Sequence, residues 1–423
     1  MPLVHSFKLS TKQNVFVNPI VDGDKIRFEI CNGNDAPEGT VNRNGARCLF
    51  CGANVPLEHV RAEGKAGRLS AQLMAIVAER KPKKRSKLKK HGRVYLAPDL
   101  EHEKIADIEK PEDYPEGGLP EKALGFSVQN YSLDEWHQLF TNRQLTALTT
   151  FSDLIPEVKS QVLDDGGSND YADALAVYLA FLVDRFADKY SSFCIWNAPG
   201  EKVEHVFGRQ AISMVWYYAE ANPFSNSSGC FDNMLDWIYK SVRELPASVV
   251  GEVNRHSATE PFDLRSVMVS SDPPYYDNIG YANLSEFFYV WLRRPLRMIY
   301  PQLFGRMSFG KDEELIAEPA RHDGDKTAAR NFFEDGMFQA LQNIFKIARE
   351  DFPVTIYYAF KQQESDSAST GWEDNVDGFN PRRFSNHSDF TCTNRNGKSN
   401  AFARFKRFGV VDSVGLPQTS AGK

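Results

Sequence analysis

Four consecutive residues, Asp272-Pro273-Pro274-Tyr275, combine a carboxylate, a rigid turn and an aromatic ring. The carboxylate of Asp272 and the carbonyl of Pro273 could accept both hydrogens of an amino group on a planar ring and orient its nitrogen toward an electrophile. The prolines fix φ and donate no hydrogen bond, so the turn is stiff. The Tyr275 ring could stack on a nucleic-acid base, which is worth about 1–3 kcal/mol. The residue types are equally compatible with a turn whose aspartate caps the next segment.

The flanking sequence predicts that this corner lies between a strand and a helix. The apolar, β-branched run at 267–269 precedes it, and a stretch with helical periodicity follows at 284–299. A second helix is predicted over 326–350 and a strand over 354–360. Strand, helix and strand in this order are typical of a parallel sheet, in which ligands bind at the carboxyl ends of the strands. Asp272 would lie at such an end.

The corner and seven short stretches elsewhere form a pattern over about residues 3–373: RAEGKAGR (61–68), VQNY (128–131), LFTNRQ (139–144), FGRQ (207–210), AEANPF (219–224), DPPYYDN (272–278, with the corner), FFYVWL (287–292) and VTIYYAFK (354–361). In these motifs the chain resembles the adenine-specific DNA methylases that contain a zinc ribbon. The resemblance implies transfer of a methyl group from S-adenosylmethionine to adenine N6 in DNA, in restriction-modification or phage defence. It also implies that Asp272 and Pro273 orient the amine, in the frame given by Pro274, and that Tyr275 stacks on a flipped base.

Two other functions remain open at this point. The amine clamp would be the same for cytosine N4 or for a base in RNA. The chain could also be a non-catalytic subunit or remnant that binds nucleic acid.

The predicted fold class is α/β, with a partial Rossmann-like methyltransferase sheet, a helical insertion and a small β-rich, zinc-ribbon-like N-terminal region. Five segments are expected: a β-rich region with a basic loop (1–110), a linker (111–132), a helical region (133–245), a partial catalytic domain (246–373) and a tail (374–423). Patterning places strands at 15–17, 26–30 and 93–96, and helices at 66–79, 134–140, 142–154, 171–189, 208–221 and 232–245. The GKAGR stretch at 64–68 is predicted to begin a helix, and the aromatic residues at 287–291 to be core.

The turn that binds S-adenosylmethionine in such enzymes, acidic and glycine-rich after a strand, is missing from this sequence. The DDGG stretch at 164–167 follows no strand and is predicted to be a loop. Cofactor-binding residues are therefore left unassigned. We expect the chain to be the C-terminal portion of a longer enzyme, inactive alone or active with a separate polypeptide that carries the cofactor half.

The resemblance stops after Glu373, and the segment 374–423 has no sustained periodicity. With plausible codons, a one-base shift of the reading frame turns this segment into a sequence similar to the family's own C-terminus. We therefore hypothesise an insertion or deletion near codon 373. A tail of that origin should be disordered, and the sheet should lack its last strands.

Cys48 and Cys51, followed by Gly52, predict half of a zinc knuckle. A closed structural zinc site needs four ligands, and the chain has no second CxxC pair. Cys31 and His59 are the nearest further candidates. The alternative is a pair of reduced cysteines that closes a hairpin.

A basic segment at 80–93 contains nine lysine or arginine residues in fourteen positions. Such a density of like charge predicts a solvated loop, which could contact phosphate without choosing a sequence. The candidate contacts are Lys83, Lys84, Arg85, Lys87, Lys89 and Lys90.

Composition bounds these possibilities. The 423 residues carry a net charge of −6, so binding to DNA would depend on local patches. The longest apolar run, at 174–183, has 10 residues, which is too short to span a membrane. Six cysteines without a paired framework and an N-terminus without an apolar core predict a cytoplasmic protein.

Overall fold

The computed structural model describes residues 1–79, 92–246, 248–277, 279–308 and 310–358, together with two strands nearer the C-terminus, Phe390–Thr393 and Phe408–Asp412. The chain forms two compact units. The first comprises Met1–Ala247 and Asn283–Phe309, and the second comprises Ser248–Ala282 and Gly310–Lys423.

The first unit begins with an antiparallel sheet of β1 (Lys8–Ser10), β2 (Val15–Asp22) and β3 (Lys25–Asn32). Alternate residues of β3 are buried, because successive side chains of a strand point to opposite faces. The strands predicted at 15–17 and 26–30 lie within β2 and β3. A second small sheet follows, formed by β4 (Val41–Asn42), β5 (Gly45–Arg47) and β6 (Asn54–Val55).

The helix predicted over 66–79 is wrong, and the GKAGR stretch ends a helix instead of beginning one. The helix α1 spans Leu57–Lys65, and β7 (Ile76–Glu79) pairs antiparallel with β8 (Arg93–Leu96). Gly67 has a left-handed backbone conformation, with φ 68°. The N–H of Arg68 donates to the carbonyl of Glu63 and that of Gly67 to the carbonyl of Gly64, a Schellman ending.

Helices dominate the middle of the first unit. They are α2 (Leu100–Ala106), α3 (Asn142–Asp164), α4 (Asn169–Ala187) and α5 (Phe231–Glu244), with the short strands β9 (Trp196–Asn197) and β10 (Lys202–Val203) before α5. Two 3-10 helices, Val128–Tyr131 and Trp136–Leu139, precede α3. The helix predicted at 134–140 is therefore shorter and tighter, whereas α3 extends ten residues past its predicted end at 154.

The helix predicted over 208–221 is absent from this described stretch. Its backbone groups bond to distant segments: the carbonyl of Ile212 accepts from the N–H of Ser127, and the N–H of Ala219 donates to the carbonyl of Cys194. Groups used in this way cannot form the i to i−4 bonds of a helix.

The helix α6 (Tyr281–Leu296) begins in the second unit and continues into the first, where α7 (Pro301–Phe304) follows. The aromatic residues at 287–291 are core, as predicted. Phe287 and Trp291 are fully buried in the main hydrophobic cluster of the first unit, together with Trp136 and Phe186.

The second unit contains a parallel sheet. Its strands are β11 (Ser270–Ser271), β12 (Val354–Tyr358), β13 (Phe390–Thr393) and β14 (Phe408–Asp412), in the order β11-β12-β14-β13. The helix α8 (Lys326–Ile347) leads into β12, and its Leu341 and Ile344 pack with Val354 and Ile356. The strand predicted at 354–360 corresponds to β12, and the helices predicted at 284–299 and 326–350 correspond to α6 and α8. The run predicted as a strand at 267–269 contains only an isolated bridge at Val267, and β11 follows directly after it. The fold is mixed α/β. The strands β13 and β14 lie in the segment 374–423, where the sequence predicted none; its other residues lie outside the described ones.

None of the helices in the described ranges is both long and apolar enough to cross a membrane.

Candidate functional site

Asp272 directly follows β11, at the carboxyl end of that strand. The strand pairs in parallel with β12, with Ser271 opposite Ile356. The extended backbone before it is held by further bonds: the N–H of Val267 donates to the carbonyl of Ile347, and the N–H of Thr355 donates to the carbonyl of Val269. The backbone that leads into the corner is therefore hydrogen-bonded both to the end of α8 and to β12.

Asp272 is exposed. Its Oδ1 accepts a hydrogen bond of 2.6 Å from the hydroxyl of Tyr275. No backbone N–H of the described residues donates to the carbonyl of Pro273. The Asp272 carboxylate, the Pro273 carbonyl and the Tyr275 ring thus follow one strand end. Pro274 separates the two acceptors from the ring in the chain.

Tyr276 holds a strained backbone conformation immediately after the corner, with φ 39°. A non-glycine residue in this region costs about 1–3 kcal/mol, so the surrounding structure must hold it. The carbonyl of Tyr276 accepts from the N–H of Ala317, at 2.9 Å. Its ring packs edge-on against Phe333, with 5.2 Å between centroids, in a small cluster that includes Met337.

A second set of polar residues lies beside the corner. Glu314 Oε1 accepts the backbone N–H of Ala282 in the first turn of α6, at 2.9 Å, and its Oε2 accepts Arg321 Nη2 at 2.6 Å. Arg321 Nε also donates to Glu318, at 2.8 Å. Burial raises the pKa of the Tyr281 hydroxyl, and the negative charges of Asp272 and Glu314 raise it further.

Sequence reasoning missed Tyr281, Glu314 and Arg321. The signal for Tyr281 was its place in the first turn of the helix after the DPPY corner. Glu314 lies 32 positions after Ala282, and nothing local in the sequence relates the two residues.

The loop that would bind S-adenosylmethionine in such a sheet would follow one of its strands. Among the four strands of the sheet, β11 is the one whose following loop is described, and that loop is the proline-rich corner rather than a glycine-rich turn. Asp277, the other acid of this loop, is exposed.

Cys48 and Cys51 lie in a tight turn. The N–H of Cys48 donates to the carbonyl of Ala53, the N–H of Gly52 donates to the carbonyl of Cys48, and Gly52 has φ 72°. The backbone N–H groups of Cys51 and Phe50 lower the pKa of the Cys48 thiol. Thiolates are good zinc ligands.

The knuckle is a half-site within the described residues. No cluster of three or more histidine, cysteine, aspartate or glutamate side chains is found there, so Cys31 and His59 do not complete it. His59 instead lies 3.9 Å from the carboxylate of Glu63.

The candidate phosphate contacts Lys83, Lys84, Arg85, Lys87, Lys89 and Lys90 lie outside the described residues. The segment connects two strands, not a helix and a strand as the sequence predicted. Glu79 pairs with Arg93 at the end of the β7–β8 ladder that adjoins this segment, so the segment starts and finishes at neighbouring points.

Comparison of the chain with family models, with curated proteins and with solved structures found no match. The resemblance to zinc-ribbon adenine methylases therefore stays a prediction from the motifs.

Proposed function

We propose that this chain carries the base-binding half of an S-adenosylmethionine-dependent methyltransferase that acts on adenine N6 in DNA. The observation that supports this proposal is the exposed carboxylate of Asp272 at the carboxyl end of a parallel strand, next to the Tyr275 ring. Proteins with open parallel sheets bind ligands at this edge. A polar group turned outward there is available to a ligand.

In this role the corner orients the amine and does not form a covalent bond. Asp272 and the carbonyl of Pro273 accept the two hydrogens of the adenine amine, which directs its nitrogen lone pair away from the ring plane. Tyr275 stacks on the base, and the stacking energy is comparable to the cost of removing a base from a duplex. Pro273 and Pro274 keep the acceptors in place before the base arrives.

The methyl donor enters through another segment or polypeptide. S-adenosylmethionine would supply an electrophilic methyl group, and the sequence carries no acidic, glycine-rich turn after a strand to bind it. By itself the chain is expected to bind the base without transferring a methyl group. The second candidate is a non-catalytic subunit that binds nucleic acid. In it, zinc on Cys48 and Cys51 would need ligands from outside the described residues.

The contribution of the base amine to binding distinguishes the amine clamp from a non-catalytic nucleic-acid-binding subunit. Single strands with one adenine, one purine (adenine without its amine) or one abasic position are compared by fluorescence anisotropy. The unaltered chain should prefer adenine over purine about 10-fold, because a hydrogen bond to a charged group contributes about 1.5–3 kcal/mol net and Tyr275 competes for this carboxylate. Asp272→Ala should abolish this preference and leave the affinity for the abasic strand unchanged.

Asp277→Ala is the matched control, since Asp277 is an exposed acid of the same corner. It should keep the adenine preference. An Asp272→Ala chain that still prefers adenine would refute the amine clamp. Loss of affinity for all three strands alike would favour the non-catalytic role.

A further inference from the structure

Tyr281 lies beside the corner and is partly accessible. Its ring centroid is 6.5 Å from that of Tyr275, and the two planes are inclined at 71°. Tyr281 lies in the first turn of α6 and is 38% exposed. We infer that Tyr281 is a second aromatic contact for the bound base, held in position by Glu314 and Arg321. This inference rests on the proposed function of the Asp272 corner.

The angle between the rings decides what Tyr281 can do. A base that stacks face to face on Tyr275 cannot also stack on a ring inclined at 71°, so Tyr281 meets the edge of that base. Burial and the charges of Asp272 and Glu314 raise the pKa of the Tyr281 hydroxyl, which therefore stays protonated at neutral pH. A protonated hydroxyl at the edge of a purine can donate to a ring nitrogen.

Glu314 fixes the start of the helix that carries Tyr281. Its Oε1 accepts the N–H of Ala282, the next residue after Tyr281, and a carboxylate at a helix N-terminus is stabilised by the helix dipole. The side chain of Glu314 is only 13% exposed, so its bond to Arg321 is shielded from water. Arg321 Nη1 donates to the carbonyl of Lys311, which joins both ends of this loop.

The same loop also holds the other side of the corner. Between Glu314 and Arg321, the residues Ile316 and Ala317 are buried, and the N–H of Ala317 donates to the carbonyl of Tyr276. One loop therefore contacts the chain directly after Tyr275 and directly after Tyr281. We assign Glu314 and Arg321 as positioning residues that set the distance between the two rings.

The three DNA single strands described above, with an adenine, a purine or an abasic position, test this inference. Tyr281 contacts the base and not its amine, so Tyr281→Ala should weaken binding of the adenine and purine strands by the same factor, about 10-fold. The adenine-to-purine ratio and the affinity for the abasic strand should not change. Tyr281→Leu keeps an apolar side chain of similar length, and should give the same pattern if alanine impairs folding. Tyr171→Ala, at an exposed tyrosine of the first unit, is the control.

Glu314 gives an independent readout. Glu314→Ala should reproduce the loss of Tyr281→Ala in part, about 3-fold, and Glu314→Gln should recover most of it, because the amide oxygen still accepts the N–H of Ala282. Glu313→Ala removes the neighbouring exposed acid and should have no effect.

The outcomes separate the two proposals. If Asp272→Ala abolishes the adenine preference while Tyr281→Ala and Tyr281→Leu change nothing, the role of Tyr281 is wrong and the amine clamp stands. If the unaltered chain shows no preference for adenine over purine, the amine clamp itself is wrong. If the Tyr281 variants weaken the abasic strand as much as the others, Tyr281 acts on the fold and not on the base.

Discussion

At the scale of single residues, the corner satisfies part of its own hydrogen-bonding capacity. The Tyr275 hydroxyl donates to Asp272 Oδ1 at 2.6 Å, so an incoming amine competes with this bond or uses the other oxygen. The bond also keeps the Tyr275 ring close to the carboxylate. The strain at Tyr276, with φ 39°, belongs to the same scale, because residues held in rare backbone regions are often found at functional sites.

Removal of the Tyr275 hydroxyl tests this competition. Tyr275→Phe keeps the ring for stacking and frees Asp272, so the adenine preference should rise about 2- to 10-fold, as expected for a bond worth about 0.5–1.5 kcal/mol. Affinity for the purine strand should not change. Binding titrations of both strands measure this, with Tyr171→Phe as the control. A fall in the adenine preference would mean that the hydroxyl itself binds the amine.

At the scale of elements, the end of α1 shows how one glycine changes the fold of the segment that follows. Gly67 has φ 68°, and a Cβ added there would meet nothing within 4 Å. Conformation alone therefore favours glycine at this position. The turn it forms ends the helix and allows β7 to pair with β8, whose loop carries the basic segment.

Gly67→Ala should lower the free energy of unfolding by about 1 kcal/mol, because alanine resists the left-handed conformation. Gly208→Ala is a matched control: Gly208 also has open space around its Cβ position and has no positive φ. Its replacement should be neutral or raise stability by up to about 1 kcal/mol. Urea unfolding followed by circular dichroism measures both. Equal effects of the two substitutions would contradict the Schellman ending.

At the scale of the whole molecule, the net charge of −6 counts exposed and buried ionisable groups alike. Asp184, on α4 in the first unit, is buried, and its Oδ1 has no hydrogen-bond partner among the described residues. Burial raises the pKa of this carboxyl well above its usual range. The folded state therefore retains a proton that the unfolded state has released, and stability falls as pH rises from the unfolded pKa, about 3.9, through the folded one.

Asp184→Asn should remove this loss. Below about pH 4, the free energies of unfolding of the variant and the unaltered chain should differ by a constant amount. Above that pH, the variant should become more stable relative to the unaltered chain, by at most about 1.4 kcal/mol per pH unit. Urea unfolding at several pH values between 4 and 8 measures the difference. Asp35→Asn, at an exposed acid, should show no such trend. A difference that is independent of pH would mean that Asp184 is ionised in the folded state.

Local signals in the sequence were sufficient for several elements of this protein. The apolar periodicities at 171–189, 232–245 and 326–350 correspond to α4, α5 and α8, because a helix that buries one face repeats its apolar residues every turn. The helix after the DPPY corner was also predicted from adjacent residues, and the strand before it lies directly after the apolar run at 267–269 that predicted it. So was the CxxC turn, whose backbone bonds all close within six residues.

Tertiary structure alone decided the rest. The segment 208–221 has a helical pattern, yet its backbone bonds to residues far away in the chain. The bond between Glu314 and the N–H of Ala282, and the contact of Ala317 with Tyr276, join residues more than 30 positions apart. A single sequence carries no local trace of such pairs, because the free energy that selects them arises only when both partners are already folded together.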